Sequence, residues 1–331
     1  MARELMRAAV RYRYGGPDVV ELRDVERPEP DGDQVLVRVH AASVNRADLD
    51  SIRPYPGFLR LFTGPRAPWN KRVGSDVAGV VETTGPDATR FRRGDRVFAD
   101  LFSHGMGAFA EYACATERAF APMPPGVSFE DAATLPHSAV LAVQGLRRRD
   151  GRSIRIGDRV LIVGASGNVG PFAVRIAKLK GAEVTGVCRT EKVDFVRSLG
   201  ADHVVDYTKV DVTATRERYD WILEPDSHHS VLAMRRLLTR GGSYVSLGGD
   251  LGALLSGLVV GPLASLFSDR WGGLMLWWKP FDPDDVAYLS DLLVTGQLRP
   301  AIDRRLPLSD VVEGLRHVDE GRAQGKVIIR P

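Results

Sequence analysis

The chain has 331 residues, 44% hydrophobic and 26% charged, with a formal net charge of +3. That length has room for two domains with cores of their own, the composition is that of an ordinary globular protein, and the charge is too small to argue for a nucleic-acid partner. Two cysteines, Cys114 and Cys188, cannot build a disulfide framework and suit the reducing cytoplasm, and the N-terminus MARELMRAAVRYRYGG lacks the apolar core and cleavage site of a secretory signal.

Short alternating runs occur at 6–12, 19–25, 34–42, 76–83, 95–99 and 108–113, separated by GGPD, PEPDGD and GPDATRFRRGD. This spacing predicts a mostly antiparallel β domain of barrel-like type, with an edge near Met123-Pro124-Pro125-Gly126. The run Arg147-Arg148-Arg149 reads as the exposed end of a helix.

Residues 159–190 form the stretch on which the rest depends. The apolar run 160–163, bounded by charge and by glycine, reads as a strand buried on both faces. Gly164, Gly167 and Gly170 follow in the order G-x-x-G-x-x-G. Phe172, Ala173, Ile176, Ala177 and Leu179 then make an apolar stripe at helical spacing, Gly181 can stop the helix, and 183–187 is a second strand. Strand, glycine turn, helix and strand make a βαβ unit. Its glycines let the chain reverse, admit a pyrophosphate to the backbone and let the helix pack close to the strand. Gly164, Ser166, Gly167, Asn168, Val169 and Gly170 are therefore candidate dinucleotide-binding residues.

The end of the second strand selects the dinucleotide. An acidic residue there would hold a ribose 2′-hydroxyl, but this chain has Cys188, Arg189 and Thr190 with Lys192 behind, and Glu191 falls in the next turn. The planar fork of an arginine pairs with two phosphate oxygens, so the expectation is NADPH rather than NADH.

Further on, HVVDY, DWILE and SYVSLGG read as strands alternating with helical stretches such as 231–238. The charge-free segment 251–267 is shorter than the roughly twenty residues a bilayer needs and contains Pro262; it reads as a buried or pocket-covering segment, with peripheral membrane contact as the alternative. Helices are expected at 284–293 and 308–318, and a closing strand at 326–329. His228-His229 lacks metal partners nearby and reads as an exposed loop or helix start.

RYGGPDVVELRDVERPEP, ASVNRADL, GSDVAGVVETTG, FRRGDRVFA, GAFAEYA, LPHSAVLAV, GASGNVG and GKVIIRP, in that order, resemble the medium-chain dehydrogenase/reductase superfamily and most of all its zinc-independent quinone oxidoreductase branch. The resemblance implies an α/β fold. A GroES-like β-rich catalytic domain would span residues 1–128 and 280–331, and a Rossmann doubly wound parallel-sheet domain 129–279, with the cofactor in the cleft between them. It also implies a homodimer joined through edge strands. Tyr207 matches a position that packs by the 2′-phosphate, and Leu247, Gly248 and Gly249 match a loop on the nicotinamide half.

Zinc relatives carry cysteine and histidine at the positions of Asn45 and Ser75, neither of which offers thiolate or imidazole, so no metal is expected. Without a Lewis acid the suitable acceptors are those that spread negative charge themselves, namely quinones and α,β-unsaturated carbonyls. Asn45 is a candidate to donate to a substrate oxygen or to ribose, or else only shapes its loop. Asp48 matches an often acidic position and serves catalysis or a structural hydrogen bond; His137 is a candidate proton donor or a packing residue. Leu141 stands where threonine is common, which removes one hydrogen bond to the nicotinamide side. Trp271, Trp277 and Trp278, with Lys279-Pro280, line the substrate side or pack a subunit interface, and specificity is expected in 51–71 and 251–279. An NADPH-dependent reductase is the expected function, with a small-molecule quinone or enone as partner and no nucleic acid or integral membrane span. A nucleotide-binding sensor with little catalysis and a small-alcohol dehydrogenase are the alternatives.

Overall fold

The computed structural model describes residues 4–54, 57 and 60–331. In chain order its strands are β1 (Leu5–Arg11), β2 (Val20–Glu26), β3 (Gln34–Val44), β4 (Asp76–Thr84), β5 (Arg96–Asp100), β6 (Tyr112–Thr116) and β7 (Phe120–Pro122). There follow β8 (Arg159–Val163), β9 (Glu183–Cys188), β10 (His203–Asp206), β11 (Tyr219–Glu224), β12 (Leu238–Ser246), β13 (Trp271–Leu274), β14 (Ile302–Pro307) and β15 (Lys326–Arg330). The chain divides into two compact units, Met1–Val140 with Pro280–Pro331, and Leu141–Lys279.

The first unit is organised around β3. One edge of β3 pairs antiparallel with β4, while the other is shared, Gln34–Arg38 with β6 and 42–44 with β15. Register shifts at Leu36/Val37 and Val39/Ala41 bend the strand, as bulges do, so one strand serves three neighbours. The sheet order is β14-β15-β3-β4-β5-β7, and β1 and β2 form a separate antiparallel pair. Inward side chains of β3 and β4, among them Val35, Val37, Val77 and Val81, meet Phe109, Phe120, Leu315 and Val327 in one core. The strand expected at 108–113 begins instead at Tyr112, because Gly105, Met106 and Gly107 all have positive φ and 108–110 runs alongside β1, Ala9 N–H donating to the Phe109 carbonyl. Helix Arg46–Ile52 starts at Asn45 and was not visible as a periodic run.

The second unit is a six-stranded sheet in the order β10-β9-β8-β11-β12-β13, parallel throughout. Val160, Leu161 and Ile162 are wholly buried, which is why the run carries no polar alternation. Strand order reverses between β8 and β11, so a crevice opens at their carboxyl ends, the usual ligand position of such sheets. Trp221, buried in β11, donates its indole N–H to the Gly145 carbonyl at 2.9 Å. The helix expected at 231–238 stops at Arg236, and Leu238 already belongs to β12. Arg147-Arg148-Arg149 lies in the turn just past helix Ser138–Gly145, where Arg148 stacks over Trp271.

Segment 251–267 corrects an expectation. It is a helical run of Leu251–Leu255, a π-helical turn Ser256–Val260 and Gly261–Leu266, and it is not a buried segment. Gly257 and Gly261 press it against β13, where a Cβ on Gly261 would stand 2.2 Å from the Gly272 carbonyl oxygen. That close approach uses the small residues, so the large ones point outward: Leu255, Leu263, Leu266 and Phe267 are 54%, 55%, 76% and 88% exposed. Among the described residues no helix is long and apolar enough to cross a membrane.

Candidate active site

The nucleotide cradle begins where β8 ends. Gly164 has φ 73°, a left-handed conformation, and only open space where its Cβ would be. At Gly170 a Cβ would meet the Gly164 carbonyl oxygen at 2.3 Å, so helix Gly170–Leu179 can pack on the turn only without a side chain there. No side chain caps this helix, and the N–H groups of a helix start suit an anionic ligand. Ser166 and Val169 are buried behind the turn, whereas Gly164, Gly167 and Asn168 reach its surface. These residues fit the pyrophosphate of a dinucleotide.

At the end of β9 the partly exposed Arg189 donates through Nε to the Tyr207 hydroxyl at 3.3 Å. Thr190 Oγ1 donates to Asp206 at 2.6 Å, and Thr208 donates to the same carboxylate from its hydroxyl and its backbone N–H. These bonds hold Asp206 at a pKa of about 2, the Thr190 and Thr208 hydroxyls being the main cause. Its oxygens are thus committed to neighbours, and Arg189 presents the charge at this rim. Lys192, expected beside it, folds inward and is 6% exposed. Leu247, Gly248 and Gly249 follow β12 and are half-buried; Ser227 N–H donates to the Gly248 carbonyl, and a Cβ on Gly249 would stand 2.1 Å from the Ser227 carbonyl oxygen.

The first unit encloses a cluster of polar side chains. Asn45, Asp48, Ser75, Asp76 and Lys326 are each wholly buried. Asn45 starts helix Arg46–Ile52, its backbone N–H donating to Asp48 Oδ2 at 2.8 Å. The Asn45 amide donates to Ser75 Oγ at 3.1 Å, and its carbonyl oxygen accepts from Lys326 Nζ at 2.5 Å and from Ser138 Oγ at 2.8 Å. Lys326 Nζ also lies 3.5 Å from Asp76. Asp76 accepts from Ser43 Oγ and from the His137 backbone N–H. His137 Nδ1 lies 2.8 Å from Asp100 Oδ2, and the His137 side chain is 10% exposed.

Charge follows from this packing. Burial pushes Asp48 up to about 7, helped by the charge of Asp76 and opposed by the Asn45 N–H. Burial acts to lower the pKa of His137, but the charge and hydrogen bond of Asp100 outweigh it and raise the imidazole above its ordinary value. Asp100 is in turn held below the usual carboxylate range, His137 overcoming its burial. Burial raises the carboxyls of Asp48 and Asp76 and lowers the ammonium of Lys326, while the charges of Lys326 and His137 oppose the rise at Asp76.

Asn45 and Ser75, the two positions where relatives hold zinc, do not fit that ion. Neither supplies thiolate or imidazole, and the Lys326 ammonium already occupies the Asn45 carbonyl. Among the described residues no group of three or more His, Cys, Asp or Glu side chains is arranged to hold a metal.

Asp76, Asp100, Ser138 and Lys326 escaped the sequence reading as site residues. A lysine inside a closing strand and an aspartate at a strand end look like solvent-facing charge until the strands are assembled. His229 was read as exposed, yet its Nδ1 lies 2.6 Å from the buried Glu224, because the loop after β11 folds back over the strand end. Trp271 and Trp277 meet edge to face at 5.4 Å within the second unit. Residues 55, 56, 58 and 59 of the expected specificity stretch 51–71 lie outside the described residues.

Fold and cradle together define a two-unit oxidoreductase of GroES-like and Rossmann type. Residues 31–125 match the alcohol dehydrogenase GroES-like domain, and residues 199–329 match the zinc-binding dehydrogenase family. A chloroplastic quinone-oxidoreductase homolog of Spinacia oleracea is 32% identical, with all of both chains covered. A chloroplastic NADPH-dependent alkenal/one oxidoreductase of Arabidopsis thaliana is 29% identical over 98% of this chain and 80% of its own. The structure of a quinone oxidoreductase from Coxiella burnetii superposes with a TM-score of 0.86 at 26% identity, over 99% of this chain and 100% of that one. The chain belongs to the medium-chain dehydrogenase/reductase superfamily, in its quinone oxidoreductase-like branch.

Proposed function

We propose that this protein is an NADPH-dependent reductase that delivers a hydride to quinones or α,β-unsaturated carbonyls without a metal. The observation that carries the reading is the rim of the cradle, where Arg189 faces outward beside Tyr207 while Asp206 is already bonded to Thr190 and Thr208. The NADPH dependence of the Arabidopsis relative and the quinone chemistry of the spinach and Coxiella proteins, as their names describe them, support it. Two buried free thiols, both pushed up to about 11 by burial, fit the reducing cytoplasm.

Bound NADPH supplies the hydride; the residues of the chain hold, orient and protonate. The Gly164–Gly170 turn holds the pyrophosphate, Arg189, Thr190 and Tyr207 the 2′-phosphate, and Leu247–Gly249 the nicotinamide side. Lys192 supports this rim from inside. A hydride at one carbon of an enone leaves an enolate that takes one proton, so each turnover consumes one NADPH and one proton. His137 is the candidate source. Its Nδ1 is paired with Asp100 Oδ2 at 2.8 Å, which favours the protonated ring. Asn45 and Asp48 act from the interior, tying helix Arg46–Ile52 to Ser75, Ser138 and Lys326.

A second copy of the chain is the partner we assign to the apolar face at 251–267. β13 has β12 as its strand neighbour, and the run 251–267 already covers it, Gly272 N–H donating to Ser265 Oγ at 3.3 Å, so the part left for a second copy is the outward row of large apolar side chains. The test of the catalytic reading is NADPH oxidation against panels of quinones, enones and simple ketones. Turnover is expected with the first two well above the third. Tight NADPH binding with no turnover on any panel would establish the nucleotide-binding sensor instead.

A further inference from the structure

The carboxyl ends of β11 and β12 carry a second polar cluster that the reaction described so far does not use. Glu224, the last residue of β11, is 1% exposed, yet each of its oxygens is occupied. Oε2 accepts from the Tyr244 hydroxyl at 2.7 Å and from Ser227 Oγ at 2.9 Å, and Oε1 pairs with His229 Nδ1 at 2.6 Å. Ser227 is itself zipped to the next loop: its N–H donates to the Gly248 carbonyl, and its carbonyl accepts from Asp250 N–H. Leu247 N–H donates to the Glu224 carbonyl. The 247–249 loop therefore has no independent footing; it is fastened to the 225–229 loop, and that loop is fastened to one buried carboxylate.

These strand ends lie just beyond the point where strand order reverses, which is where the second half of a dinucleotide extends from the cradle. We infer that Glu224 and His229 are positioning residues for the nicotinamide half of NADPH, and that the charge on His229 couples nucleotide affinity to pH. The inference rests on the nucleotide reading above.

The sign follows from the pair. The hydrogen bond and charge of Glu224 outweigh burial, and with Asp211 they raise the pKa of His229. The imidazolium is therefore held below that raised pKa, and the tie weakens as pH rises through it. The other charged groups around it do not reverse this. Asp211 approaches from the turn before Val212–Ala214 and favours the charged ring, whereas Asp226 and Asp250 lie against the neighbouring His228. Tyr244, from β12, stays a neutral donor because burial and Glu224 drive its pKa far up.

The test is the dissociation constant of NADPH for the full chain, followed by nucleotide fluorescence from about pH 6 to about pH 9. It is measured for the wild type, His229→Gln and Ser227→Ala. The glutamine keeps a donor toward Glu224 but cannot titrate. Dividing the wild-type constant by that of His229→Gln cancels the titration of the 2′-phosphate of the nucleotide, which falls near pH 6. The ratio is expected to rise roughly three- to tenfold across the range, as when a charge-assisted hydrogen bond becomes a neutral one. Ser227→Ala keeps the backbone bonds to Gly248 and Asp250 but removes the hydroxyl that fastens this loop to Glu224, without touching the imidazole, so it should weaken binding at every pH and keep the wild-type slope. A flat ratio, or Ser227→Ala binding as tightly as wild type, overturns the inference while leaving the nucleotide reading intact. Absence of NADPH binding at any pH in all three proteins overturns both.

Discussion

In the proposed nucleotide site Arg189 is the residue that would distinguish NADPH from NADH, because of what surrounds it. A guanidinium paired with a carboxylate would be neutralised, but the anionic Asp206 is bonded by two threonine side chains and has Lys209 Nζ at 3.3 Å as its ion-pair partner. Arg189→Ala should cost about 1.5–3 kcal/mol of NADPH binding, roughly ten- to hundredfold in KM for NADPH, with KM for NADH unchanged. Steady-state kinetics with both nucleotides reads this directly, and equal losses for the two would show that Arg189 does not meet the 2′-phosphate. His137 gives the second residue-scale prediction. Asp100 raises its pKa, so Asp100→Asn should move the alkaline limb of the kcat/KM profile toward lower pH. Below the lowered pKa the variant retains activity; above it, activity falls while the wild type still turns over. A limb that stays in place would remove His137 from proton transfer.

Among the elements, the turn between β8 and helix Gly170–Leu179 has the least tolerance. The Gly164 carbonyl is so close to Gly170 that a methyl group forces backbone apart rather than a side-chain tip. Gly170→Ala should lower stability by about 1–3 kcal/mol and abolish NADPH binding, seen as a drop in Tm that added nucleotide no longer reverses. A variant with normal affinity would mean that the helix start does not hold the pyrophosphate. The βαβ unit was readable in sequence because local rules agree there: an apolar run, glycines where the backbone needs them, and a helical stripe. The start of β6 and the end of helix Val231–Arg236 were not, since each is set by a neighbour. Residues 108–110 are drawn to β1, and Leu238 joins β12, packing in the core beside β11.

For the whole molecule, the outward leucines of 251–267 require cover. Leu266→Lys combined with Phe267→Lys should shift the protein from dimer to monomer in sedimentation while NADPH binding persists. The substituted side chains are solvent-facing in the single chain, so its stability should change little. A wild type that sediments as a monomer and floats with liposomes would assign the face to lipid instead.

The sequence by itself determined the superfamily, the doubly wound sheet and the glycine cradle, because periodicity, turn chemistry and ordered motifs are local properties. It also excluded the usual zinc ligands, a matter of residue type alone. Only the tertiary structure decided which polar residues act together. Lys326 meets Asn45 across 281 positions of chain, and His137 meets Asp100 across 37. A charge of either kind reads as solvated until folding removes the water around it and leaves the opposite charge as its partner. The same holds for 251–267. Its composition predicts burial, but two glycines set the helical run so close to β13 that its large side chains have no inner face left to occupy.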